Sequence, residues 1–255
     1  MTAKARDYDK IYRRFGASIS GAYDCGRMCA PLNGGEPVCC TTGHAVPIVT
    51  TEEWKLLKKR TDLWSKFTPY DAATRDIVDD LPDNCRAVEC KGAAQCERQN
   101  RSLACRAFPF FPYFTKEKEL VGMAYYWLFE DRCWVISNLH IVEQAYIKEF
   151  IASYEYLFSK DEDELEAFLE QSVSARRVFS RWNRPIPLIG RDGGYFKVLP
   201  KQGGKIVPAK VKEFKPLGPF VSDKAYRAEI EMEGGDPKGK TLNPDWSIKD
   251  WWAHD

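Results

Sequence analysis

Residues 25–40 read CGRMCAPLNGGEPVCC, and residues 85–105 read CRAVECKGAAQCERQNRSLAC. These two stretches hold eight of the nine cysteines in the 255-residue chain, and only Cys133 lies outside them. Thiols that merely fill a core would be scattered along the sequence, so this grouping indicates a shared role. A disulfide framework is a poor explanation, because the number is odd and intracellular proteins rarely keep structural disulfides. The pattern therefore predicts metal ligation or redox chemistry.

The overall composition excludes several classes of partner. The chain has 38 Lys and Arg against 37 Asp and Glu, for a net charge of +1, so we expect no nucleic-acid partner. The longest apolar stretch, residues 121–129, is much shorter than the roughly 20 residues that span a bilayer, so we expect no membrane partner. Residues 1–10 lack the apolar segment of a secretory signal. These features predict a cytoplasmic protein.

The two cysteine stretches supply the candidate metal ligands, and Cys133 is expected to take no part. Thiolate-only sets suit zinc or iron–sulfur clusters, and the spacing does not separate the two. Eight thiolates suffice for two four-thiolate sites, or for one site with spare ligands. In an extended chain the adjacent Cys39 and Cys40 would point to opposite faces, so we expect them to serve different metal atoms unless the chain bends tightly. The candidates are Cys25, Cys29, Cys39, Cys40, Cys85, Cys90, Cys96 and Cys105.

Three further side chains are candidates for roles beside the cysteines. Arg101 and Arg106 flank Cys105 and are candidates for neutralising thiolate charge or binding an anionic substrate, with surface ion pairing as the alternative. His44 follows Cys40 by four residues and is a candidate zinc ligand or donor to a cluster sulfur. The sequence identifies no catalytic residue.

These residues resemble a known family at two signatures. Cys25, Cys29 and the Cys39-Cys40 pair, followed by VPIVTTEE at residues 46–53, resemble the opening of the YkgJ-type cysteine-cluster proteins, a family described as zinc- or iron-chelating. Cys90, Cys96 and the segment NRSLACRAFP at residues 100–109 resemble the second signature, although serine stands where the family usually has proline. The resemblance covers residues 23–112. It implies a thiolate metal site and says nothing of the C-terminal half.

The flagellin lysine methylases are similar in both signatures. Their resemblance implies an iron–sulfur cluster, with 4Fe–4S favoured, beside methyl transfer from S-adenosylmethionine. We therefore expect a thiolate metal-binding protein. The concrete hypothesis is an enzyme that uses the cluster to bind or activate a small-molecule or protein substrate. The alternative is a non-enzymatic zinc- or iron-binding structural, interaction or carrier module.

The helices and strands expected from the sequence predict an α+β fold with a cysteine-rich metal-binding core, a helical hairpin and a Pro/Gly-rich C-terminal extension. Thr50 is a predicted helix cap. Asn138 and Asp161 are predicted to cap two helices that form the hairpin. Residues 193–199 and 205–207 are predicted to pair as a β-hairpin. The expected regions are 1–136, the metal-binding region; 137–182, the helical hairpin; and 183–255, the extension.

One motif near the C-terminus has the letters of a phosphate-binding loop. Residues 234–241, GGDPKGKT, fit the pattern Gly-x4-Gly-Lys-Thr. That loop needs a preceding strand and a following helix within a parallel sheet, and only 14 residues follow Thr241. We therefore expect a flexible turn rather than a nucleotide site.

Overall fold

The computed structural model describes residues 2–238, and they form an α+β fold with two antiparallel sheets. The helices are α1 Ala5–Arg14, α2 Cys25–Cys29, α3 Thr51–Arg60, α4 Ala72–Asp79, α5 Leu103–Ala107, α6 Trp134–Ser137, α7 Gln144–Phe158, α8 Glu162–Arg181 and α9 Asp223–Met232. The strands are β1 Ile48–Thr50, β2 Trp64–Lys66, β3 Cys85–Cys90, β4 Phe110–Phe114, β5 Leu120–Tyr125, β6 Ile186–Gly190, β7 Tyr195–Leu199 and β8 Lys205–Pro208. None of the helices in this range combines the length and apolar character needed to cross a membrane.

The smaller sheet has the order β1-β3-β2 and carries two of the cysteines at opposite ends of its central strand. Cys85 pairs with Thr50 of β1, whereas Cys90 pairs with Trp64 of β2. At roughly 3.4 Å per residue, a strand of this length holds the two cysteine backbones about 17 Å apart. The geometry of β3 therefore prevents both thiols from reaching the same site.

The larger sheet has the order β4-β5-β6-β7-β8. Every residue of β4 is buried, in keeping with the aromatic run FFPYF that forms it. The hairpin expected between residues 193–199 and 205–207 is present, since β7 and β8 pair with Val198 opposite Ile206. Strand β6 pairs with β5, so the segment predicted as an extension completes a sheet begun by residues 110–125.

Two of the three predicted helix caps are present, and the third is replaced. Thr50 Oγ1 accepts a hydrogen bond of 3.1 Å from Glu53 N at the start of α3. Asp161 Oδ1 accepts one of 3.3 Å from Glu164 N at the start of α8. Asn138 instead donates from Nδ2 to the carbonyl of Trp134, at 2.9 Å, and so closes the preceding helix. A 3₁₀ turn follows it, and α7 begins only at Gln144.

Helices α7 and α8 form the expected hairpin. They contain 15 and 20 residues and are joined by a short turn. Aromatic side chains pack across the pair, with the rings of Tyr154 and Phe168 centred 5.1 Å apart. Helix α8 of this pair packs against β4, an edge strand of the larger sheet.

The segment between α1 and β1 consists of turns and very short helices. Cys39 and Cys40 lie in a 3₁₀ turn, Val38–Cys40, so the tight bend replaces the extended geometry considered above. The residues just before that turn include Gly34 and Gly35, both at positive φ. This segment therefore holds its cysteines on loops rather than on long elements.

The phosphate-loop motif lacks the expected context. Its first described residues, Gly234 to Lys238, follow helix α9 and not a strand. The remainder of the motif and of the C-terminal extension, residues 239–255, lies outside the described residues.

Candidate metal centre

The structure brings eight cysteines from distant parts of the chain into one group, which we call the thiol cluster. All nine cysteines lie within residues 2–238, and none of them forms a disulfide. Each member of the cluster lies close enough to at least one other member for their charges to interact. The members are Cys25, Cys29, Cys39, Cys40, Cys90, Cys96, Cys105 and Cys133.

Cys85, a predicted ligand, lies apart from this cluster. Its thiol is 3.7 Å from Asn84 Oδ1, at the end of β3 that faces away from Cys90. Burial and the nearby carboxylates of Glu164 and Asp161 raise the pKa of Cys85 to about 11. A thiol among carboxylates is harder to ionise, so this environment does not favour metal ligation by Cys85.

Cys133, expected to take no part, lies inside the cluster. It is 4% exposed and occupies the position that precedes α6. Helix α6 contacts α2, and the Cys133 thiol interacts with the thiols of Cys25 and Cys29. Sequence spacing could not identify this contact, because it depends on the packing of two elements more than 100 residues apart.

Cys39 and Cys40 form a close sulfur pair in the cluster, with their Sγ atoms 4.0 Å apart. The hydrogen bond between them lowers the pKa of Cys40 and raises the pKa of Cys39. The pair therefore favours a state in which Cys40 is the thiolate and Cys39 keeps its proton. A thiolate of this kind is the nucleophilic and metal-binding form of cysteine.

Burial keeps other members of the cluster protonated when no cation is near. Loss of solvation is the main cause, and it raises the pKa values of Cys29 and Cys105 to about 12. A bound metal ion reverses this effect, because it stabilises the thiolate directly. Metal binding to these residues would therefore release protons and strengthen as the pH rises.

Arg101 supplies a positive charge at the centre of the thiol cluster. Its guanidinium favours the charged form of cysteines from both stretches, against the larger effect of burial, which raises the pKa of three of them. Its Nε atom is buried with no hydrogen-bond partner among the described residues. A buried arginine nitrogen without an acceptor is costly, so this position suits a site that gains negative charge. The affected thiols are Cys25, Cys40, Cys96 and Cys105.

Arg106, the other predicted substrate ligand, is engaged in the fold. It is 5% exposed and donates hydrogen bonds to the backbone carbonyls of Phe15, Gln99 and Arg101. Its guanidinium also stacks 4.5 Å from the ring centre of Tyr12. These contacts hold the end of α1 against the segment before α5, and Arg106 also lines a cleft beside the thiol cluster.

His44 contacts an arginine and not a sulfur. Its exposed ring lies 2.8 Å from Arg132 Nη1 through Nδ1. Partial burial and the Arg132 charge lower the pKa of His44. This placement does not support the predicted role of His44 as a ligand or donor to the thiols.

Buried polar contacts position Cys105. Ser102 Oγ accepts a hydrogen bond of 3.2 Å from Cys105 N and caps α5. The buried carboxylate of Glu53, on α3, accepts from Leu103 N at 2.6 Å and from Tyr12 OH at 2.5 Å. Burial raises the pKa of Glu53. Helix α5 is thus tied to α1 and α3 by its first turn.

A cleft of about 410 Å³ opens beside the thiol cluster. This volume is within the range of roughly 300–1,000 Å³ that is typical of small-molecule sites. Cationic side chains line it next to the sulfurs, among them Arg98, which donates to Ser18 Oγ at 2.9 Å. The cysteines that line the cleft are Cys25, Cys29, Cys39, Cys105 and Cys133.

The residue types of the thiol cluster fit a metal that is bound by thiolates. Across residues 2–238, no three His, Cys, Asp or Glu side chains converge on a point where they could share one ion. A single zinc ion needs four ligands at about 2.0–2.3 Å. A four-iron cluster carries each thiolate on a different iron, so its four sulfurs stand farther apart.

No family model, curated protein or solved structure matches this chain. The resemblance to cysteine-cluster proteins is thus limited to the residues of the two signatures.

Proposed function

We propose that this chain is a thiolate metalloprotein that carries an iron–sulfur cluster, with 4Fe–4S favoured, in the thiol cluster. The observation that carries the proposal is the grouping of eight cysteines from two distant stretches and from the start of α6 in one region of the fold. Simple core filling would not gather thiols around a buried, unpaired arginine nitrogen. Thiolates that share a site repel one another, and metal binding offsets that repulsion.

The cleft supports an active role for the metal. It places a ligand-sized space against several of the sulfurs, with Arg98 and Arg101 on its wall. With Arg106, three guanidinium groups line the cleft, and they suit a ligand that carries a carboxylate or another anionic group. The concrete version is an enzyme in which the cluster binds or activates a substrate in this cleft. Methyl transfer from S-adenosylmethionine is the reaction that the resemblance to flagellin lysine methylases implies.

The non-enzymatic alternative also has an observation in its favour. The segment between α1 and β1 contains only short helices and turns, and such segments often depend on a metal for their fold. In that case zinc or iron would only hold the loops in place, and the protein would act as a carrier or interaction module.

Anaerobic purification followed by metal and acid-labile sulfide analysis tests the proposal. We expect a brown protein that contains iron and sulfide in equal amounts and absorbs near ~400 nm. A colourless protein with stoichiometric zinc and no sulfide would favour the structural alternative. A folded protein that binds neither metal would contradict both.

Variants at three cysteines identify the ligands. Cys40→Ser and Cys105→Ser should each reduce the metal content and the thermal stability together, because the free energy of metal binding contributes to folding. Cys85→Ser is the matched control: its thiol lies apart from the thiol cluster, so the metal content should not change.

A further inference from the structure

The wall of the cleft carries positive charge that no carboxylate balances. Arg98, Arg101 and Arg106 line it, and within residues 2–238 none of the three forms an ion pair with Asp or Glu. The acidic side chain on the wall is Asp24, and it is engaged elsewhere. Its Oδ1 accepts a hydrogen bond at the start of α2, and its Oδ2 lies 3.6 Å from Arg27. The wall is therefore suited to an anion.

The three arginines differ in how many donors they leave for a ligand. Arg106 donates from Nε and from both Nη atoms to backbone carbonyls, so it contributes charge rather than new hydrogen bonds. Arg98 donates from Nη2 to Ser18 Oγ at 2.9 Å. Arg101 has a buried Nε with no acceptor in the described part of the chain. A buried donor of this kind is costly until an acceptor reaches it, and carboxylates and phosphates accept from a guanidinium in pairs of hydrogen bonds.

A different part of the wall is aromatic. Tyr23, Trp134 and Val135 also line the cleft. The centres of the Tyr23 and Trp134 rings lie 5.7 Å apart, and the Trp134 side chain is only 1% exposed. Tyr23 itself is 42% exposed, so its ring rests on a buried indole and keeps a large open surface. An aromatic ring that is supported in this way suits stacking with a planar group of a ligand.

The arginines and the aromatic surface are close enough to contact one ligand. Ser18, which accepts the hydrogen bond from Arg98, precedes Tyr23 by five residues on the same wall segment. Five residues span at most about 18 Å when fully extended. The segment is bent, because Ser20 Oγ accepts from the backbone N–H groups of Ala22 and Tyr23, each at 3.2 Å, and so the distance is shorter. The cleft between them has a volume of about 410 Å³.

We infer that the cleft binds a small aromatic anion, with its carboxylate or phosphate group at Arg101 and Arg98 and its ring against Tyr23. The inference rests on the proposed function, which takes this cleft as the substrate site, and it adds the chemical class of the ligand. Offsetting the charge of the thiolates would by itself require neither a space of this size nor an open aromatic ring on its wall.

Calorimetric titration of the full chain, loaded anaerobically with iron and sulfide, tests the ligand class. The probes are phenylbutyrate and phenyl phosphate, with butyrate and inorganic phosphate as ring-free counterparts and phenylbutyramide as the neutral counterpart. We expect one site that binds a probe with both ring and charge about 2–10-fold more tightly than its ring-free counterpart. Tighter binding of phenylbutyrate would identify a carboxylate ligand, and tighter binding of phenyl phosphate a phosphate ester. Binding of neither, or equal binding of phenylbutyramide, would overturn the inference while the proposed function stands.

Variants locate the two parts of the site. Arg101→Lys keeps a cation beside the thiols but loses the guanidinium fork, so metal content should stay and affinity for the charged probes should fall about 10-fold. Tyr23→Leu should remove the advantage of phenylbutyrate over butyrate and leave butyrate binding unchanged. Arg27→Gln and Tyr70→Leu are the matched controls, since both side chains are exposed and neither lines the cleft. If the cleft variants bound the probes as the controls do, the inference would be wrong.

Metal content and folding are measured independently of the titration. Iron and sulfide analysis reports on the proposed function, and circular dichroism identifies any variant that fails to fold. A folded protein that holds no metal would contradict the proposed function. The same titration of that protein would still decide whether the cleft binds an aromatic anion.

Discussion

At the scale of single residues, Arg101 links the two cysteine stretches electrostatically. Its charge acts on thiols before β1 and after β3. Within residues 2–238, no side chain accepts a hydrogen bond from its buried Nε. Arg106, only five residues away, is engaged instead with backbone carbonyls. Two arginines that flank the same cysteine therefore differ in role because their side chains point to different partners.

The first prediction concerns this charge. Replacing Arg101 with glutamine removes a cation beside the thiolates, so metal affinity should fall by about 10–100-fold, as is typical when a group next to the ligands is lost. Competition with a chelator measures the change. Arg27→Gln is the matched control, because the Arg27 side chain is exposed on α2 and forms an ion pair with Asp24 at 3.6 Å. Equal affinities for wild type and Arg101→Gln would show that this charge does not act on the metal.

The sequence predicted seven of the cysteines in the thiol cluster. The structure places Cys85 apart from the cluster and Cys133 within it. Seven of the eight predicted ligands come together. The cysteines of each stretch are close in sequence, and loops bring the two stretches near each other. Cys85 lies apart because β3 is a straight strand that carries Cys85 and Cys90 at opposite ends. Cys133 joins because α6 packs on α2, and no local pattern encodes that contact.

At the scale of elements, helix α5 is the support of Cys105. It has only five residues, too few to be stable alone, so its position depends on contacts at its first turn. Ser102 is fully buried there and caps the helix, and this explains why serine can stand where the resembled family has proline. Both residues suit a helix start, by accepting a hydrogen bond or by lacking an N–H.

The second prediction tests this support. Ser102→Ala should destabilise the protein by about 1 kcal/mol, the usual effect of losing a helix cap, and should also weaken metal retention. Ser222→Ala is the matched control, because Ser222 caps α9 in the same way, accepting 3.1 Å from Ala225 N. Thermal denaturation and chelator competition separate the two effects. The interpretation fails if both variants lose stability and metal to the same extent.

The hydrogen bonds of the capping side chains determined which helix starts could be predicted from the sequence. Thr50 and Asp161 cap their helices, because a side-chain oxygen of each accepts a hydrogen bond from a backbone N–H in the first turn. Asn138 has a donor as well as an acceptor, and its donor closes the preceding turn at Trp134. The sequence could not reveal that competition, because α6 is a four-residue helix within a stretch that reads as a strand.

At the scale of the whole molecule, the larger sheet joins the two halves of the chain. Strands β4 and β5 lie directly after the cysteine stretches, and β6 to β8 come from the segment after the helical hairpin. Strands from both halves therefore form this sheet, and the predicted boundaries at 136 and 182 fall between elements that pack together. Composition marked the C-terminal segment by its Pro and Gly content, and these residues do not prevent it from forming the edge strands.

The last prediction tests the junction between the halves at β5 and β6. Gly122 pairs with Gly190 there, and a Cβ atom at residue 122 would lie 2.2 Å from the carbonyl oxygen of Ile189. Because that neighbour is backbone, Gly122→Ala should force the strands apart and destabilise the protein by about 3 kcal/mol. A loss of this size should lower the Tm by roughly 6–12 °C.

The matched control is Gly16→Ala, since a Cβ at that residue meets no atom within 4 Å. Its Tm should stay close to that of the wild type. Thermal denaturation followed by both circular dichroism and cluster absorbance distinguishes how the halves are coupled. If the sheet and the cysteine region form one cooperative unit, both signals should shift together in Gly122→Ala. If the metal signal keeps its wild-type midpoint while the sheet melts earlier, the cysteine region is stable without the sheet and the two halves are coupled only through the chain.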